Sequence, residues 1–236
     1  MMDILFNSLL FQGIEIQKIE SLIQCSEKVV LTKGELFSER MLRENIFIPL
    51  SGIVKSYQVN PHNGKAYTIF LFHKGDAFDI ITFIDQDEHE VLFEVVREGI
   101  FLKVSHKVLD QWVIDEPQFN KNILFLLSHM LLSLEQNASD LALYDTFTRL
   151  SKLILRHISS VPISQSIRSK VHLKHIDTLS HEEMAHLIGT AREVVSRHIK
   201  VLKEKKILQR YKQRHYIVNL EALLEQCHLP FVHSKT

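Results

Sequence analysis

The sequence predicts an α+β fold, because three different textures follow one another along its 236 residues. Apolar residues recur at helical spacing over residues 3–24, with a break near Gly13. Short β-rich runs separated by turn residues fill residues 26–105, and a long helical pattern begins at Pro117. Several short strands at such spacing are typical of a β-sandwich or a jelly-roll barrel. We therefore expect an N-terminal β jelly-roll, a long helix and a smaller C-terminal region.

The segment 46–72 predicts a β-hairpin within the barrel. The runs IFIPLSGIVKSYQV and AYTIFLF are rich in β-branched and aromatic residues, and the turn sequence NPHNGK separates them. We expect one strand on each side of that turn.

The helix that begins at Pro117 carries a narrow apolar seam. Its positions recur at alternating intervals of 3 and 4 residues, which keeps them facing a partner helix, as in a coiled coil. The seam comprises Leu124, Leu127, Leu131, Leu134, Ala138 and Leu141. A second apolar set, Ile123, Leu126 and Met130, can pack on the barrel and leave the seam free. We expect a parallel homodimer through this seam; the alternative is a core helix packed only on its own barrel.

Several classes of protein are disfavoured by the composition. No apolar run reaches the roughly 18 residues of a membrane span, and the N-terminal residues lack a basic leading segment. Cys25 and Cys227 form neither a disulfide framework nor a CxxC metal site, which favours a reducing cytoplasm. The sequence has no Walker loop, GxSxG or HExxH motif, so we expect no enzyme and no membrane partner.

Charge is divided unevenly between the two parts of the chain. Residues 144–236 hold 16 Lys plus Arg against 8 Asp plus Glu, whereas residues 1–143 hold 12 against 20. Such asymmetry points to a polyanion as the partner of the second part only.

Residues 179–208, LSHEEMAHLIGTAREVVSRHIKVLKEKKIL, predict two capped helices in tandem. Ser180 with Glu183 forms a capping box, and Thr190 with Glu193 repeats the pattern. Gly189 supplies the tight turn between them. The residues expected to be buried are Met184, Leu187, Ile188, Val195, Ile199 and Leu202. This arrangement predicts a helix-turn-helix whose second helix enters the major groove of double-stranded DNA.

The outward face of that second helix carries the candidate DNA-binding residues. Arginine can donate two hydrogen bonds to guanine, glutamate can accept one from cytosine, and serine can contact either bases or phosphate. The predicted base-reading residues are Arg192, Glu193, Ser196 and Arg197. The predicted phosphate-binding residues are Thr190, Lys200, Lys203, Arg210, Lys212 and Arg214. For Glu193 the alternative is a capping role alone. Residues 207–218, ILQRYKQRHYIV, read as two short strands around a basic turn, which makes the motif a winged helix-turn-helix.

We expect three regions along the chain. Residues 1–116 form an effector-sensing β-barrel with N-terminal helices, residues 117–143 a dimerisation helix, and residues 144–236 the DNA-binding domain. The sequence YDTFTRLSKLILRHI begins a new helix with Asp145 as its N-cap, so a hinge is expected near residues 143–145.

These motifs, in this order, resemble the CRP/FNR superfamily of transcription regulators. The resembling stretches are LTKGELF, LSGIVKSYQV, NGKAYTIFLFHKGDAF, YDTFTRLSKLIL and the helix-turn-helix sequence above. The resemblance implies a cupin-like cyclic-nucleotide-binding-domain fold for the jelly-roll and a dimer that binds a near-palindromic promoter site. It also implies RNA polymerase as a partner and an effector in the barrel that repositions the DNA-binding domains. The half-site, of the TTGTGA or TTGA type, stays open.

The effector is where the sequence departs from the family pattern. The family binds cyclic nucleotides through a Gly-Glu pair and a following arginine; here Asp79 replaces the glutamate and no arginine follows before Arg97. Acidic residues crowd the same stretch, namely Asp85, Asp87, Glu88 and Glu90, and would repel a phosphate. Cyclic AMP is therefore not expected. An iron–sulfur cluster needs four cysteines and is excluded.

Other effectors remain open. Haem needs an axial ligand, for which the candidates are His62, His73, His89, His106 and His129. A small organic ligand, or none, is the other possibility, and the candidate pocket residues are Phe78, Asp79, Ser128 and His129. The crowded histidines His172, His175, His181 and His186 are read as helix surface and linker, so no metal site is expected. The alternative function is a small-molecule or cyclic-nucleotide-binding module with a secondary role in DNA binding.

Overall fold

A computed structural model describes residues 1–85, 90–158, 171–173, 176, 178–211 and 214–228 of the chain. For residues 171–172, 210–211 and 214–216 it describes the backbone alone. The chain divides into two compact units, one formed by Met1–Lys65 with Ile69–Glu135 and the other by Ala66–Thr68 with Gln136–Thr236. The described chain contains helices and antiparallel sheets, which confirms the predicted α+β class.

The first unit opens with short helices, α1 (Met2–Phe6), a 3-10 helix (Leu9–Phe11) and α2 (Ile16–Gln24). The predicted break near Gly13 is confirmed, since this glycine has a φ of 76° that other residues rarely adopt. The apolar side chains of these helices, among them Leu5, Phe11 and Ile19, are fully buried. They join one core with residues of α5 and of the long helix.

Two three-stranded sheets form the barrel. The first has the order β1–β6–β2 and the second the order β4–β3–β5. The strands are β1 (Glu27–Leu31), β2 (Asn45–Pro49), β3 (Ile53–Val59), β4 (Ala66–Phe72), β5 (Leu92–Arg97) and β6 (Gly99–Ser105). Three short helices flank them, α3 (Glu39–Glu44), α4 (Ile80–Asp85) and α5 (His106–Asp115).

The prediction of a single strand over residues 46–59 is wrong. The chain leaves the first sheet after Pro49 and enters the second at Ile53. Gly52, with a φ of 89°, makes this crossing possible, and a Cβ there would lie 2.7 Å from the Arg97 carbonyl oxygen. A Cβ on Gly99 would lie 2.2 Å from the Ser51 carbonyl oxygen. Two turns thus pass so closely that only glycine fits at their contact, a feature that strand propensity does not reveal.

Aromatic rings fill the space between the two sheets. The buried cluster draws on strands of both sheets and comprises Phe37, Phe47, Phe72, Phe78, Phe93 and Phe101. Phe78 stacks on Phe93 with ring centroids 5.4 Å apart, and Phe37 meets Phe47 edge-on at 5.0 Å. Burying one such side chain stabilises a fold by about 1.5–3 kcal/mol. The cluster therefore contributes strongly to the stability of the barrel.

A long helix and a smaller αβ region follow. The helix α6 (Pro117–Leu143) has 27 residues, which confirms the uninterrupted helical pattern. The further helices of the described residues are α7 (Thr146–Arg156), α8 (His181–Leu187), α9 (Arg192–Glu204) and α10 (Leu220–Gln226). Strands β7 (Val171–His172), β8 (Leu208–Tyr211) and β9 (Arg214–Ile217) form a sheet in the order β7–β9–β8. Within the described part of the chain, no helix is both long and apolar enough to cross a membrane.

Candidate nucleic-acid interface

The first helix of the motif, α8, begins as predicted. Ser180 accepts a hydrogen bond from the Glu183 amide, and the Glu183 side chain accepts one from the Ser180 amide, which confirms the capping box. Gly189, with a φ of 66°, forms the predicted turn. Met184 and Ile188 are buried as expected, whereas Leu187 is only half-buried. Because Leu187 is the last residue of this short helix, it lies at the edge of the packed face.

The second helix, α9, is fixed by its inner face. Val195, Ile199 and Leu202 are 0%, 3% and 0% exposed, which confirms the predicted core positions. They recur every three or four residues, so one stripe of the helix is anchored against the domain. The opposite stripe is thereby held outward.

The second predicted capping box is wrong. Helix α9 begins at Arg192 with Ala191 as its N-cap, and no side chain caps it. The turn after Gly189 runs one residue further than predicted, so Thr190 precedes the cap and Glu193 is the second helical residue. The carboxylate of Glu193 therefore takes no part in capping. It lies exposed in the first turn, where the helix dipole favours negative charge.

Most of the predicted DNA-binding residues on α9 are exposed. They are Arg192, Glu193, Arg197, Lys200 and Lys203. The Lys200 ammonium lies 3.8 Å from a carboxylate oxygen of Glu204, an exposed pair one turn apart that restrains it little. Thr190 is half-buried. The outward face of α9 thus presents four cations and one carboxylate within three helical turns.

Ser196 differs from its neighbours on this face. It is half-buried, and its hydroxyl oxygen lies 2.8 Å from Nδ1 of His181, the first residue of α8. This predicted base-reading residue is thus held by a side chain of the preceding helix.

His198 connects α9 to the start of α7. Its Nε2 lies 2.8 Å from the Thr146 hydroxyl, and its ring meets that of Phe147 edge-on at 5.2 Å. Burial, followed by the neighbouring Arg197 cation, lowers the pKa of His198, while Asp145 opposes the shift. The ring therefore packs within the domain. Asp145 accepts a hydrogen bond from the Thr148 amide at 2.8 Å, which confirms it as the N-cap of α7.

The wing consists of β8 and β9, which pair antiparallel with Arg210 opposite His215 and Tyr211 opposite Arg214. These two strands confirm the predicted pair. Arg210 lies next to the last residue of β8 and Arg214 is the first residue of β9, whereas Lys212 lies outside the described residues. A third strand, β7, pairs Val171 with Ile217. It is too short to give a periodic sequence signal, and the sequence did not predict it.

A buried charge cluster joins the end of α6 to α7. Asp140, 3% exposed, receives Lys152 Nζ on one carboxylate oxygen and Arg156 Nη1 on the other, each at 2.9 Å. Gln136 donates a third hydrogen bond to Asp140 at 3.1 Å. The Lys152 ammonium also lies 3.6 Å from the centroid of the Tyr144 ring. In the sequence, this charge cluster is signalled only by the spacing of Lys152 and Arg156, which lie one helical turn apart.

The two cysteines are expected to differ sharply in reactivity. Burial raises the pKa of the Cys227 thiol to about 11, whereas Cys25 is exposed. At pH 8 the Cys227 thiol is therefore protonated and shielded, whereas only a thiolate attacks a disulfide reagent. We expect one fast-reacting thiol and one that reacts only after the C-terminal unit opens. A C25S variant should show no fast phase with a disulfide reagent, and a fast phase there would contradict the buried position of Cys227.

Comparisons with known proteins match both parts of the chain. Residues 148–226 match the model of the Crp-like helix-turn-helix domain. The CRP-like cAMP-activated global transcriptional regulator of Mycobacterium tuberculosis is 24% identical over 196 residues, covering 83% of this chain and 85% of that protein. The global nitrogen regulator of Synechococcus elongatus is 26% identical, covering 78% and 81%. A CooA mutant from Carboxydothermus hydrogenoformans shares the fold, with a TM-score of 0.70, 21% identity and coverage of 93% and 95%.

Residues 148–226 form a Crp-like helix-turn-helix domain, and the chain as a whole is similar to transcription regulators of the CRP/FNR superfamily. It is a DNA-binding regulator, and its helix-turn-helix is the part that the family model matches.

In the barrel unit and the long helix, the four candidate pocket residues do not share one environment. Phe78 is 0% exposed within the phenylalanine cluster. Asp79, 4% exposed, has a φ of 63° and accepts a hydrogen bond from the Thr82 hydroxyl at 2.8 Å. Ser128 is exposed on α6 and donates to the Leu124 carbonyl at 2.8 Å, and His129 is exposed beside it. Two of the four are thus core residues and two are helix surface.

The haem-ligand candidates of this regulator are also dispersed. His62 and His129 are exposed, His73 is half-buried beside Asp76, and His89 lies outside the described residues. The His106 ring packs edge-on against Phe83 at 5.1 Å, and burial lowers the pKa of His106. Over the described ranges, no cluster of three or more His, Cys, Asp or Glu residues could hold a metal ion.

Proposed function

We propose that this CRP/FNR regulator acts as a homodimer whose two α9 helices read a near-palindromic promoter site. The observation that carries the proposal is the exposed face of α9, with Arg192, Glu193 and Arg197 in the first two turns. In a helix-turn-helix the N-terminal residues of the second helix contact the base edges. As a regulator of transcription, the proposed dimer acts with RNA polymerase as well as DNA. Because these two partners are cytoplasmic, we propose the cytoplasm as its location.

Each charged residue of this face has a distinct role in the proposal. Arg192 and Arg197 donate paired hydrogen bonds to guanine, and Glu193 accepts one from the amino group of cytosine. Lys200 and Lys203, further from the helix start, bind phosphates and supply sequence-independent affinity. The wing residues Arg210, Lys212 and Arg214 bind phosphates beside the groove.

The exposed leucines of α6 support the dimer. Leu124 and Leu131 are each 66% exposed and Leu134 is 39% exposed. Phe125 and Leu132, 51% and 61% exposed, widen this apolar strip beyond the predicted seam. A contiguous apolar patch on a soluble domain marks an interaction surface.

Two leucines of the predicted seam already pack elsewhere. Leu127 is half-buried against the core of the first unit. The Leu141 side chain lies at Gly189, 2.9 Å from where a Cβ on this glycine would be. The proposed dimer contact therefore centres on the exposed strip between Leu124 and Leu134, with Ala138, exposed, at its C-terminal end.

We place the effector in the barrel unit but outside the phenylalanine cluster. A ligand between the sheets would have to displace packed rings such as Phe78 and Phe93, each less than 5% exposed. An effector shifts the regulator only if it binds one arrangement of the dimer more tightly than the other. A coupling of about 1–3 kcal/mol is the usual scale.

The proposal is tested by comparing Arg197→Ala with Lys200→Ala. We expect Arg197→Ala to weaken the specific site roughly 5- to 150-fold, about 1–3 kcal/mol, and to flatten the base preference at one position. Lys200→Ala should weaken specific and random DNA alike and lower the salt slope by about 1. Fluorescence anisotropy on both DNAs over a salt series measures these effects.

Lys65→Ala, which removes an exposed cation of the first unit, is the matched control. Equal losses on both DNAs for Arg197→Ala would contradict base reading.

A further inference from the structure

The contact between His181 and Ser196 joins the two helices of the motif on the side of the base-reading face. His181 begins α8 directly after the capping residue Ser180, so the capping box fixes the backbone that carries its ring. Ser196 follows the fully buried Val195 on α9, so its own backbone is fixed as well. The 2.8 Å distance between Nδ1 and Oγ is that of a hydrogen bond.

Other helical serines of this chain use their hydroxyl differently. Ser21, Ser128 and Ser151 each donate to the carbonyl four residues earlier, at 3.0, 2.8 and 2.9 Å. That back-bond is the usual use of a serine hydroxyl inside a helix. Ser196 lies instead at hydrogen-bond distance from an imidazole of another helix. The contact pairs this hydroxyl with His181, and the tautomer of the imidazole decides which of the two groups donates.

A hydroxyl has one hydrogen to donate and lone pairs that accept. The neutral imidazole with its proton on Nε2 accepts at Nδ1, and we assign this tautomer to His181. The Ser196 hydrogen then points at Nδ1, and only lone pairs of its oxygen remain for DNA. Such an oxygen accepts from the exocyclic amino group of adenine or cytosine, whereas the O6 and N7 of guanine and the O4 of thymine are acceptors that repel it.

We propose that His181 is a positioning residue that makes Ser196 an obligate hydrogen-bond acceptor and so selects an amino-bearing base at one position of each half-site. This inference rests on the proposed function, because it requires that α9 reads bases. It adds a residue outside α9 to those that determine the recognised sequence.

In-vitro selection from random DNA tests the proposal with the full-length wild-type protein and the variants S196A, H181F, H181N and H181F/S196A. The position that loses its preference in S196A defines where the serine reads. We expect wild type to prefer adenine or cytosine there by about tenfold. H181F, which keeps a ring but has no acceptor, should lose that preference while the other positions stay unchanged. H181N places an amide oxygen near the location of Nδ1 and should restore it, and the double variant should match S196A.

Three results would overturn the inference. They are an unchanged preference in H181F, a preference for guanine or thymine at that position in wild type, and an equal loss at all positions in H181F. Glu182→Gln, at an exposed neighbour on α8, controls for changes of charge near DNA. Circular dichroism confirms that each variant is folded. If R197A lowers a base preference in the consensus but H181F leaves every preference unchanged, the inference about His181 fails and the proposed function stands. If the wild-type protein yields no consensus, both the inference and the proposed function fail.

Discussion

Asp140→Ala is expected to destabilise the C-terminal unit by about 3–5 kcal/mol, because it leaves a buried cation without its counter-charge. Lys152 is only 9% exposed and lies 2.9 Å from this carboxylate, so water cannot replace the lost partner fully. Urea unfolding monitored through the Cys227 thiol reports the opening of this unit directly. The effect on the barrel unit should be small, since the charged partners of Asp140 all lie in α7.

Two further variants make the result specific to the buried charge. Asp140→Ala combined with Lys152→Met removes the two most buried charges and leaves Arg156, whose side chain is 36% exposed. We expect it to recover at least about half of the lost stability, because apolar replacement of a buried ion pair is often neutral. Glu225→Ala changes an exposed carboxylate of the same unit and should cost less than about 0.5 kcal/mol. A cost below about 1 kcal/mol for Asp140→Ala would contradict the structural role of the cluster.

Leu131→Lys is expected to convert the dimer to monomers and to remove high-affinity binding to the full palindrome. The side chain is 66% exposed at the middle of the α6 strip, so the monomer should tolerate lysine. Across a two-fold interface the substitution places two cations in an apolar contact, where unpaired charge is costly. Since two half-sites are bound by linked modules, loss of the dimer should lower the affinity about 10²–10⁴-fold.

Sedimentation velocity and binding to single and paired half-sites separate the two consequences. Affinity for an isolated half-site should be unchanged, because Leu131 lies far along the sequence from α9. Ile114→Lys, at a 75% exposed apolar residue of α5, is the matched control and should leave the dimer intact. A Leu131→Lys protein that remains dimeric would show that the contact surface lies elsewhere.

The local features of the fold could be predicted from the sequence. The stripe Val195, Ile199 and Leu202 and the capping box at Ser180 follow from helical periodicity and cap chemistry, and the structure confirms both. The second cap failed because the same Ser/Thr-x-x-Glu pattern does not fix where a turn ends. One extra residue after Gly189 moved Thr190 away from the cap position.

Features that depend on tertiary contact could not be predicted. The break between β2 and β3 arises from the close approach of Gly52 and Gly99, which are 47 positions apart in the chain. The Asp140 cluster and the His181–Ser196 bond likewise join residues of separate helices. The candidate effector residues were chosen by motif position, and burial then separated Phe78 and Asp79 from Ser128 and His129.

The measurement that tests the central claim most directly is in-vitro selection of DNA by the purified wild-type protein at one fixed, moderate salt concentration. A dimer that reads bases through α9 predicts a near-palindromic consensus, with guanine-containing half-sites about 10 base pairs apart from centre to centre. Binding of DNA without any base preference, or a consensus made of one unrepeated half-site, would contradict it.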